Sequence, residues 1–446
     1  MSLVTKAIGG AKKLKHRFQD KIKEKTPVYM SPVRRIERVS LKDRVVAMTF
    51  DDGPCAMPAK PSKSEKPLTL LLAETLEKYE AVGTFDVVGD TSGNYPDKAG
   101  RDGSASWGGI KYDHYPDFGC DSLGGVINCP ELTKRILDGG HEITSHTYSH
   151  VLFGSKPLVY GNRAPMHGID EVISDLKKLD LHMKQNYGYE IKLSRPPHYV
   201  DKTKDGFSAY DAYAVMGYQY LAASFDGAGW LPLSSYEAEI DAMVRPLERS
   251  LETNPDSLCG QIIFQKDGYN MARRSPVADG LERQLELLIR NGYRVVGVSE
   301  LLELCPFSDL SPDNTLFECA KKLLDRGMCI CYRDNTVRAN NILTRGELAM
   351  ILHGSTTATE RITLVKNKKN VAKDVSYKHP YAAAITAALE VGEMTLLRDK
   401  FYPNAQVTGS DFAAAIQKHF GFISEVPVGI ITHADAISAI AKMIKK

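Results

Sequence analysis

The chain has 446 residues, with 57 Lys and Arg set against 55 Asp and Glu, a formal net charge of +2, and 43% hydrophobic residues. A charge this close to balance gives no global argument for a nucleic-acid or other polyanionic partner, and no run reaches the roughly 18 apolar residues of a membrane span. At roughly 150 residues per domain the length suggests two or three domains, each able to bury a core of its own.

Residues 1–40 read as a basic extension, with Lys12, Lys13, Lys15, Arg17, Lys21, Lys23, Lys25, Arg34 and Arg35. The extension lacks the apolar centre of a secretory signal and is expected to be a solvated helix or arm. The first strand follows in residues 44–54, where an apolar, β-branched run stops at Gly53-Pro54 and leaves Asp51 and Asp52 at its carboxyl end. Parallel α/β sheets place their chemistry at that end. Two adjacent carboxylates there repel each other and call for a cation or a proton, although a turn that simply favours Asp and Gly would be written the same way.

A loop rich in Pro and Lys (55–67), a helical pattern over 68–79 and a second strand over 83–89 complete a parallel crossover unit. From 91 to 129 the chain is dominated by Gly, Asp, Tyr and Ser, which is long for a loop inside a compact domain. Its Tyr95, Trp107, Tyr112, Tyr115 and Phe118 suit either stacking on a sugar ring or a small packed subdomain. Cys120 and Cys129 are near enough in sequence to close a loop by a disulfide, but the eight cysteines as a set show no zinc-ribbon spacing and read more simply as buried thiols.

Regular structure resumes at 132–137, and a strand ending near Thr144 leads to His146 and His150. Placed on one helical turn, imidazoles four apart share a face, and with Asp52 they would complete a three-ligand zinc site with one open position. A His pair at this spacing also occurs as plain surface decoration. A helix over 167–187 precedes a short strand and the Arg-Pro-Pro-His-Tyr run 195–199, whose two prolines hold Arg195 and His198 rigidly. Strands are expected at 218–225, 261–267 and 293–298, with a helix over 281–291. Roughly seven strands alternate with helices, and the unusual polar residues gather at strand ends. The expected fold is α/β, a distorted (β/α) barrel of seven or eight strands over residues 41–304.

Residues 305–446 change to helices with degenerate repeats. Phe307 to Ile351 is echoed by Ala372 to Ile416, and residues 431–440 repeat only the closing helix. Thr344, Thr408 and Thr432 each precede an acidic residue by three, the capping-box spacing, so this is an all-α repeat domain.

Together, residues 49–54, 141–150, 195–199, 226–230 and the strand ending at Asp267 resemble, in that order, the five motifs of the polysaccharide deacetylases of carbohydrate esterase family four. The resemblance implies metal-dependent removal of acetyl groups from N-acetylated sugars, with Zn2+ or Co2+ as cofactor. It implies Asp52, His146 and His150 as metal ligands, Asp51 as catalytic base and Arg195 as the residue that orients Asp51. His198 would bind the oxyanion through its backbone amide, and Tyr199, Asp226 and Trp230 would line the acetyl and substrate pocket. Two positions depart from the pattern. Lys266 stands where the family has the His that protonates the leaving amine, and Gly229 where it has the Asp that supports this His. Lys266 is then a tuned acid, a static electrostatic donor, or the mark of a sugar-binding relative; with a reference pKa near 10.4, lysine is poorly matched to acid-base work at neutral pH. His198 stands at a usually aromatic position, a second source of imidazole.

The C-terminal third resembles S-layer homology repeats, which anchor proteins to cell walls. The polymer-contacting Arg of that family survives here only as Arg345, replaced by Gly409 and His433 in the other two copies, so a purely structural domain is the competing expectation. The reading that results is a deacetylase of a polymer containing N-acetylglucosamine, with peptidoglycan favoured by the wall-type repeats. The alternative is a glycan-binding wall protein without turnover. Family habit places such a protein outside the cell or at the wall, whereas the N-terminus, without an export signal, leaves the cytoplasm open.

Overall fold

In the computed structural model, which describes residues 28–60, 64–91, 105–107, 110–112, 123–154, 164–270, 272, 274–422 and 427–444, the central strand is β2. Strand β1 is Arg35–Ile36, β2 Val45–Asp51, β3 Thr84–Val87, β4 Glu142–Ser145, β5 Leu193–Ser194, β6 Gln219–Leu221, β7 Phe225–Asp226, β8 Ile262–Lys266 and β9 Arg294–Val296. All seven residues of β2 are buried. Their alternation is visible in the packing, since Val45 and Ala47 face one apolar cluster while Val46, Met48 and Phe50 face the other. Such a strand, covered on both sides, reads as a continuous apolar run.

Every pairing in the nine-stranded sheet is parallel, in the spatial order β1-β6-β5-β4-β3-β2-β8-β7. Strand β9 pairs with Val45 to Ala47 and β3 with Thr49 to Asp51, on the edge of β2 opposite β8. The two ends of the sheet approach each other through single bridges rather than a ladder: Arg38 bridges Gln261, and the Val39 amide donates to Gly260 O at 2.8 Å. The result is an incomplete parallel barrel. Helices α1 (Leu68–Lys78), α2 (Pro130–Asp138), α3 (Ile169–Tyr187), α4 (Ala209–Met216), α5 (Tyr236–Thr253) and α6 (Val277–Arg290) connect its strands, and α7 (Val298–Leu304) follows the last of them.

Two expectations need correction. The sheet has nine strands rather than seven or eight, because the run at 218–225 divides into β6 and β7 and because β1 joins the sheet. Strand β1 lies inside the segment expected to be a basic arm, and Met30, Val33, Ile36 and Val39 around it are buried. A two-residue strand displays no period, so sequence alone offers no sign of it. Residues 1–27, Tyr95, Tyr115, Phe118 and Cys120 lie outside the described residues, while Trp107 and Tyr112 fall on a small antiparallel hairpin.

The C-terminal third is helical throughout: α8 (Phe317–Asp325), α9 (Arg345–His353), α10 (Ala358–Asn367), α11 (Ala382–Glu390), α12 (Gly409–Phe420) and α13 (His433–Met443). Thr344, Thr408 and Thr432 cap α9, α12 and α13, each side chain accepting the backbone N–H three residues on. The residues just before these caps close a ring of backbone bonds. Leu343 N–H donates to Ile431 O at 2.8 Å, Ile431 N–H to Val407 O at 3.0 Å, and Val407 N–H to Leu343 O at 2.9 Å. Residues 29–40 join this unit to the barrel: Ser31 N–H donates to Cys331 O at 3.0 Å, Arg35 N–H to Arg333 O at 2.7 Å and Ser40 N–H to Phe307 O at 2.7 Å. Ile36, Ala47, Leu221 and Ile262 belong to the same apolar cluster as Phe307, Leu343 and Ile437, so the core crosses residue 304 without a break.

Candidate metal and catalytic site

Asp51 ends β2, and Asp52 follows it with φ 80, a left-handed conformation that is costly for a residue other than Gly. The next residue must be Gly, since a Cβ on Gly53 would stand 2.0 Å from Asp267 Oδ2. Asp267 holds this turn in place: its amide donates to Asp51 O at 2.7 Å, and its carboxylate accepts from Thr69 Oγ1 at 2.6 Å. Two adjacent carboxylates are thereby turned in different directions.

Asp52 Oδ1 lies 3.3 Å from His146 Nε2 and 3.1 Å from His150 Nε2, and the two imidazole centroids are 5.0 Å apart. The expected helical turn is absent. Strand β4 ends at Ser145, and residues 146–150 form an irregular loop in which Thr147 and His150 take φ values of 72 and 54. Thr147 Oγ1 accepts the His150 amide at 3.0 Å, and it is this local bond, not helical periodicity, that folds the second imidazole back beside the first. His146 Nδ1 faces Arg195 O at 2.9 Å and Asp86 Oδ2 at 3.0 Å. With acceptors on that side, Nδ1 keeps a proton and Nε2 is the nitrogen that faces Asp52 and would ligate a metal. One carboxylate and two imidazoles suit zinc, whose bonds of about 2.0–2.1 Å put tetrahedral ligands about 3.3–3.4 Å apart. The separations here match, so the residues fit the metal.

Asp51 points to the other side. Arg195, 1% exposed, donates from Nη1 to Asp51 Oδ1, and from Nη2 to Thr49 Oγ1 at 3.1 Å and Ala222 O at 3.2 Å. Burial pushes the Asp51 carboxyl up to about 7; the Arg195 charge opposes the rise and the Asp86 and Asp52 carboxylates add to it. Burial also pushes Asp52 up, but Lys266, His150 and His146 outweigh it and hold this carboxyl well below its usual range. Burial depresses the His150 imidazole despite Asp52 beside it. For His146 burial acts in the same direction, but Asp51, Asp86 and Asp52 prevail and raise it well above its ordinary value. Three carboxylates around His146 make a pocket that attracts positive charge.

Lys266 stands at the end of β8, directly opposite Asp51 in register. Its Nζ donates to Asp52 Oδ2. The ammonium is bound to a candidate metal ligand. Gly229 also has a structural cause: a Cβ there would meet Val277 Cγ2 of α6 at 2.5 Å, so the Asp of the family pattern has no room. His198 is exposed at φ 54, with its ring 5.8 Å from that of His150, and Tyr199 is 38% exposed. Asp226 Oδ1 accepts from Ala228 N–H at 2.9 Å and from Trp230 Nε1 at 3.0 Å, so it shapes the turn that carries the half-buried Trp230.

The fold therefore brings Asp51, Asp52, His146, His150, Arg195, Lys266 and His198 together and sets Asp226 at the end of β7, next to β8, with Trp230 in the turn that follows. Asp86 was missed. Fully buried, it accepts from Thr144 Oγ1 at 2.7 Å and flanks His146. The available signal was a carboxylate in the middle of an apolar strand, Thr-Phe-Asp-Val.

Residues 38–214 match the polysaccharide deacetylase family, a span that holds Asp51, Asp52, His146, His150 and Arg195. A peptidoglycan-N-acetylglucosamine deacetylase of Bacillus cereus is 25% identical over 263 residues, covering 58% of this chain and 89% of that protein. Among solved structures, a carbohydrate esterase family four pseudoenzyme from Bacillus anthracis is similar at 16% identity and TM-score 0.40, over 61% of this chain and 70% of that one. The chitin deacetylase of Colletotrichum lindemuthianum is similar at 17% identity and TM-score 0.40, over 65% and 96%. The chain carries a polysaccharide deacetylase domain.

Proposed function

We propose that this protein is a metal-dependent N-deacetylase of a polysaccharide containing N-acetylglucosamine, with peptidoglycan as its substrate. The observation that carries the reading is the convergence of Asp52, His146 and His150 beside an Asp51 that Arg195 grips. A zinc or cobalt ion held by those three residues would supply Lewis acidity toward the amide carbonyl and lower the pKa of water.

The chain's own groups do the rest. Asp51 takes the proton of the attacking water, and a carboxyl raised by burial to about 7 is suited to a base working near neutrality. Arg195 fixes the direction of that carboxylate through its three bonds to Asp51, Thr49 and Ala222. His198, whose backbone is left-handed, would bind the oxyanion through its amide, and Trp230 with Tyr199 would bound the acetyl pocket. Lys266 spends its charge on Asp52, and desolvation followed by the nearby His150 pushes the His198 imidazole down to about 3, so protonation of the leaving amine falls to solvent and turnover is slow. The similarity to the peptidoglycan-N-acetylglucosamine deacetylase of Bacillus cereus supports the choice of sugar.

The Lys266–Asp52 pair is also the observation that favours a second reading, a glycan-binding protein that keeps the metal without turnover. Acetate release from peptidoglycan and from chito-oligosaccharides, with zinc or cobalt, separates the two. Release by the wild type and none by Asp51→Asn supports the enzyme; no release from either, with retained metal and sugar binding, supports the binder. Wall association outside the cell goes with the first reading. The helical domain serves structure more than polymer contact, because Arg345 is committed internally: Nε donates to Phe401 O at 2.9 Å, Nη2 to Thr395 O at 2.8 Å, and the guanidinium lies 4.8 Å from the Phe401 ring centroid.

A further inference from the structure

Three side chains with no motif in common meet in the helical domain. His353 is the last residue of α9, His419 lies in the last turn of α12, and Glu393 follows the end of α11 by three residues. Glu393 Oε2 is 2.5 Å from His353 Nε2, and Oε1 is 2.8 Å from His419 Nδ1. The two imidazoles stand edge to face, with centroids 5.4 Å apart. The three ligand atoms all lie within 4.8 Å of one another, and the Glu393 side chain is 7% exposed. The donor set, one carboxylate and two imidazoles, is the same as in the barrel.

The surroundings favour a cation. Helices α9, α11 and α12 all end at this point, and each helix end carries partial negative charge on its last carbonyls. Lys418 already donates to one of those carbonyls, Gly392 O beyond α11, which shows the local demand for positive charge and leaves Glu393 to the imidazoles. A carboxylate between two imidazoles is a hydrogen-bonded pair of contacts without a metal and a chelate with one. Metal bonds of about 2.0–2.1 Å need ligand atoms about 3.3–3.4 Å apart, so one Glu393 oxygen would turn to serve both imidazoles, whose ligand atoms already lie within 4.8 Å of it and of each other.

We propose that His353, Glu393 and His419 form a second divalent transition-metal site, of the zinc class, with water completing the tetrahedron. The site fastens the closing helix of the first repeat to both helices of the second. Its ligands come from positions 353, 393 and 419, so a bound ion cross-links three helices that are otherwise joined by apolar packing and single polar contacts. It stands apart from the barrel site and does not depend on the deacetylase reading.

The test is zinc stoichiometry of the full chain, stripped with a chelator and titrated in competition with a chromophoric chelator. Wild type should take up two equivalents, Asp52→Asn one, Glu393→Gln one, and the Asp52→Asn/Glu393→Gln double variant none. Zinc should raise the melting temperature of Asp52→Asn and leave that of the double variant unchanged. Cobalt in the Asp52→Asn background should give the visible absorption of a four-coordinate site, which His353→Gln should abolish while far-ultraviolet dichroism stays native. The proposal is overturned if Asp52→Asn binds no zinc, or binds it as well with Glu393→Gln as without. If instead wild type and Asp52→Asn bind equally and Glu393→Gln binds none, the barrel site fails and this one stands.

Discussion

Replacing Lys266 by Met should tighten zinc at the barrel site while weakening the metal-free fold. Lys266 is 11% exposed at its side chain, and its ammonium rests on Asp52 Oδ2, with the two imidazoles on Oδ1. A cation bound at Oδ1 would therefore lie about 4–5 Å from that ammonium, and a divalent ion and a unit charge at this distance repel by roughly 7–8 kcal/mol at an effective dielectric constant of about 20. After relaxation and water entry, about 1–2 kcal/mol should survive, a 5- to 30-fold gain in zinc affinity on removing the charge. The metal-free protein should respond in the opposite sense, because breaking a buried pair from one side strands the Asp52 carboxylate at a cost of about 3–5 kcal/mol. The signature is a melting temperature below wild type without zinc, combined with a zinc-induced rise larger than that of wild type. Competition with a chromophoric chelator gives the affinity and calorimetry the two melting temperatures. If Lys266→Met bound zinc no more tightly than wild type, the ammonium would not be acting on the metal position and the reading of Asp52 as a shared carboxylate would be wrong.

Asp86→Asn should reduce zinc affinity by about 10- to 100-fold without loss of fold, since Asp86 flanks His146 Nδ1 at 3.0 Å and fixes which nitrogen faces Asp52; equal affinity in both proteins would exclude that role. Gly229→Asp, the change toward the family pattern, should destabilise by about 1–3 kcal/mol, because its Cβ would meet Val277 at 2.5 Å; an unchanged urea midpoint would show that α6 yields freely. Burial pushes Glu347 up, but His433, Tyr332 and Thr344 outweigh it and hold the carboxyl down at about 2. A depressed carboxyl contributes stability that is complete above its unfolded value of about 4.3 and lost as pH falls toward 2, here about 2–3 kcal/mol. The difference in urea stability between wild type and Glu347→Gln should therefore shrink below pH 4.5. A difference constant from pH 7 to pH 3 would remove the linkage.

Much of the architecture was legible because it is local. The apolar run ending in Asp51-Asp52-Gly53-Pro54 announces a buried strand and its mouth, and the Thr caps at 344, 408 and 432 announce helix starts, because period and capping act within a few residues. Residue chemistry was equally legible: Asp52, His146, His150 and Arg195 could be nominated by type and order. Their geometry could not. The four-residue spacing of the two histidines suggested a helical turn, whereas left-handed Thr147 and a side-chain bond to the His150 amide produce the same proximity in a loop.

What the tertiary structure alone decided are the partnerships between residues far apart in the chain. Lys266 could be aligned as an acid, but whether its ammonium faces substrate or Asp52 depends on the register of β8 against β2, set by five residue pairs over more than 200 positions. Gly229 looked like a lost function until α6 packed against it. Asp86 and the His353–Glu393–His419 cluster carried no motif, because their meaning arises only when separate elements converge. Sequence fixes which groups are available and the period on which they repeat; burial and through-space distance, which determine what each charge is worth, exist only once the chain has closed on itself.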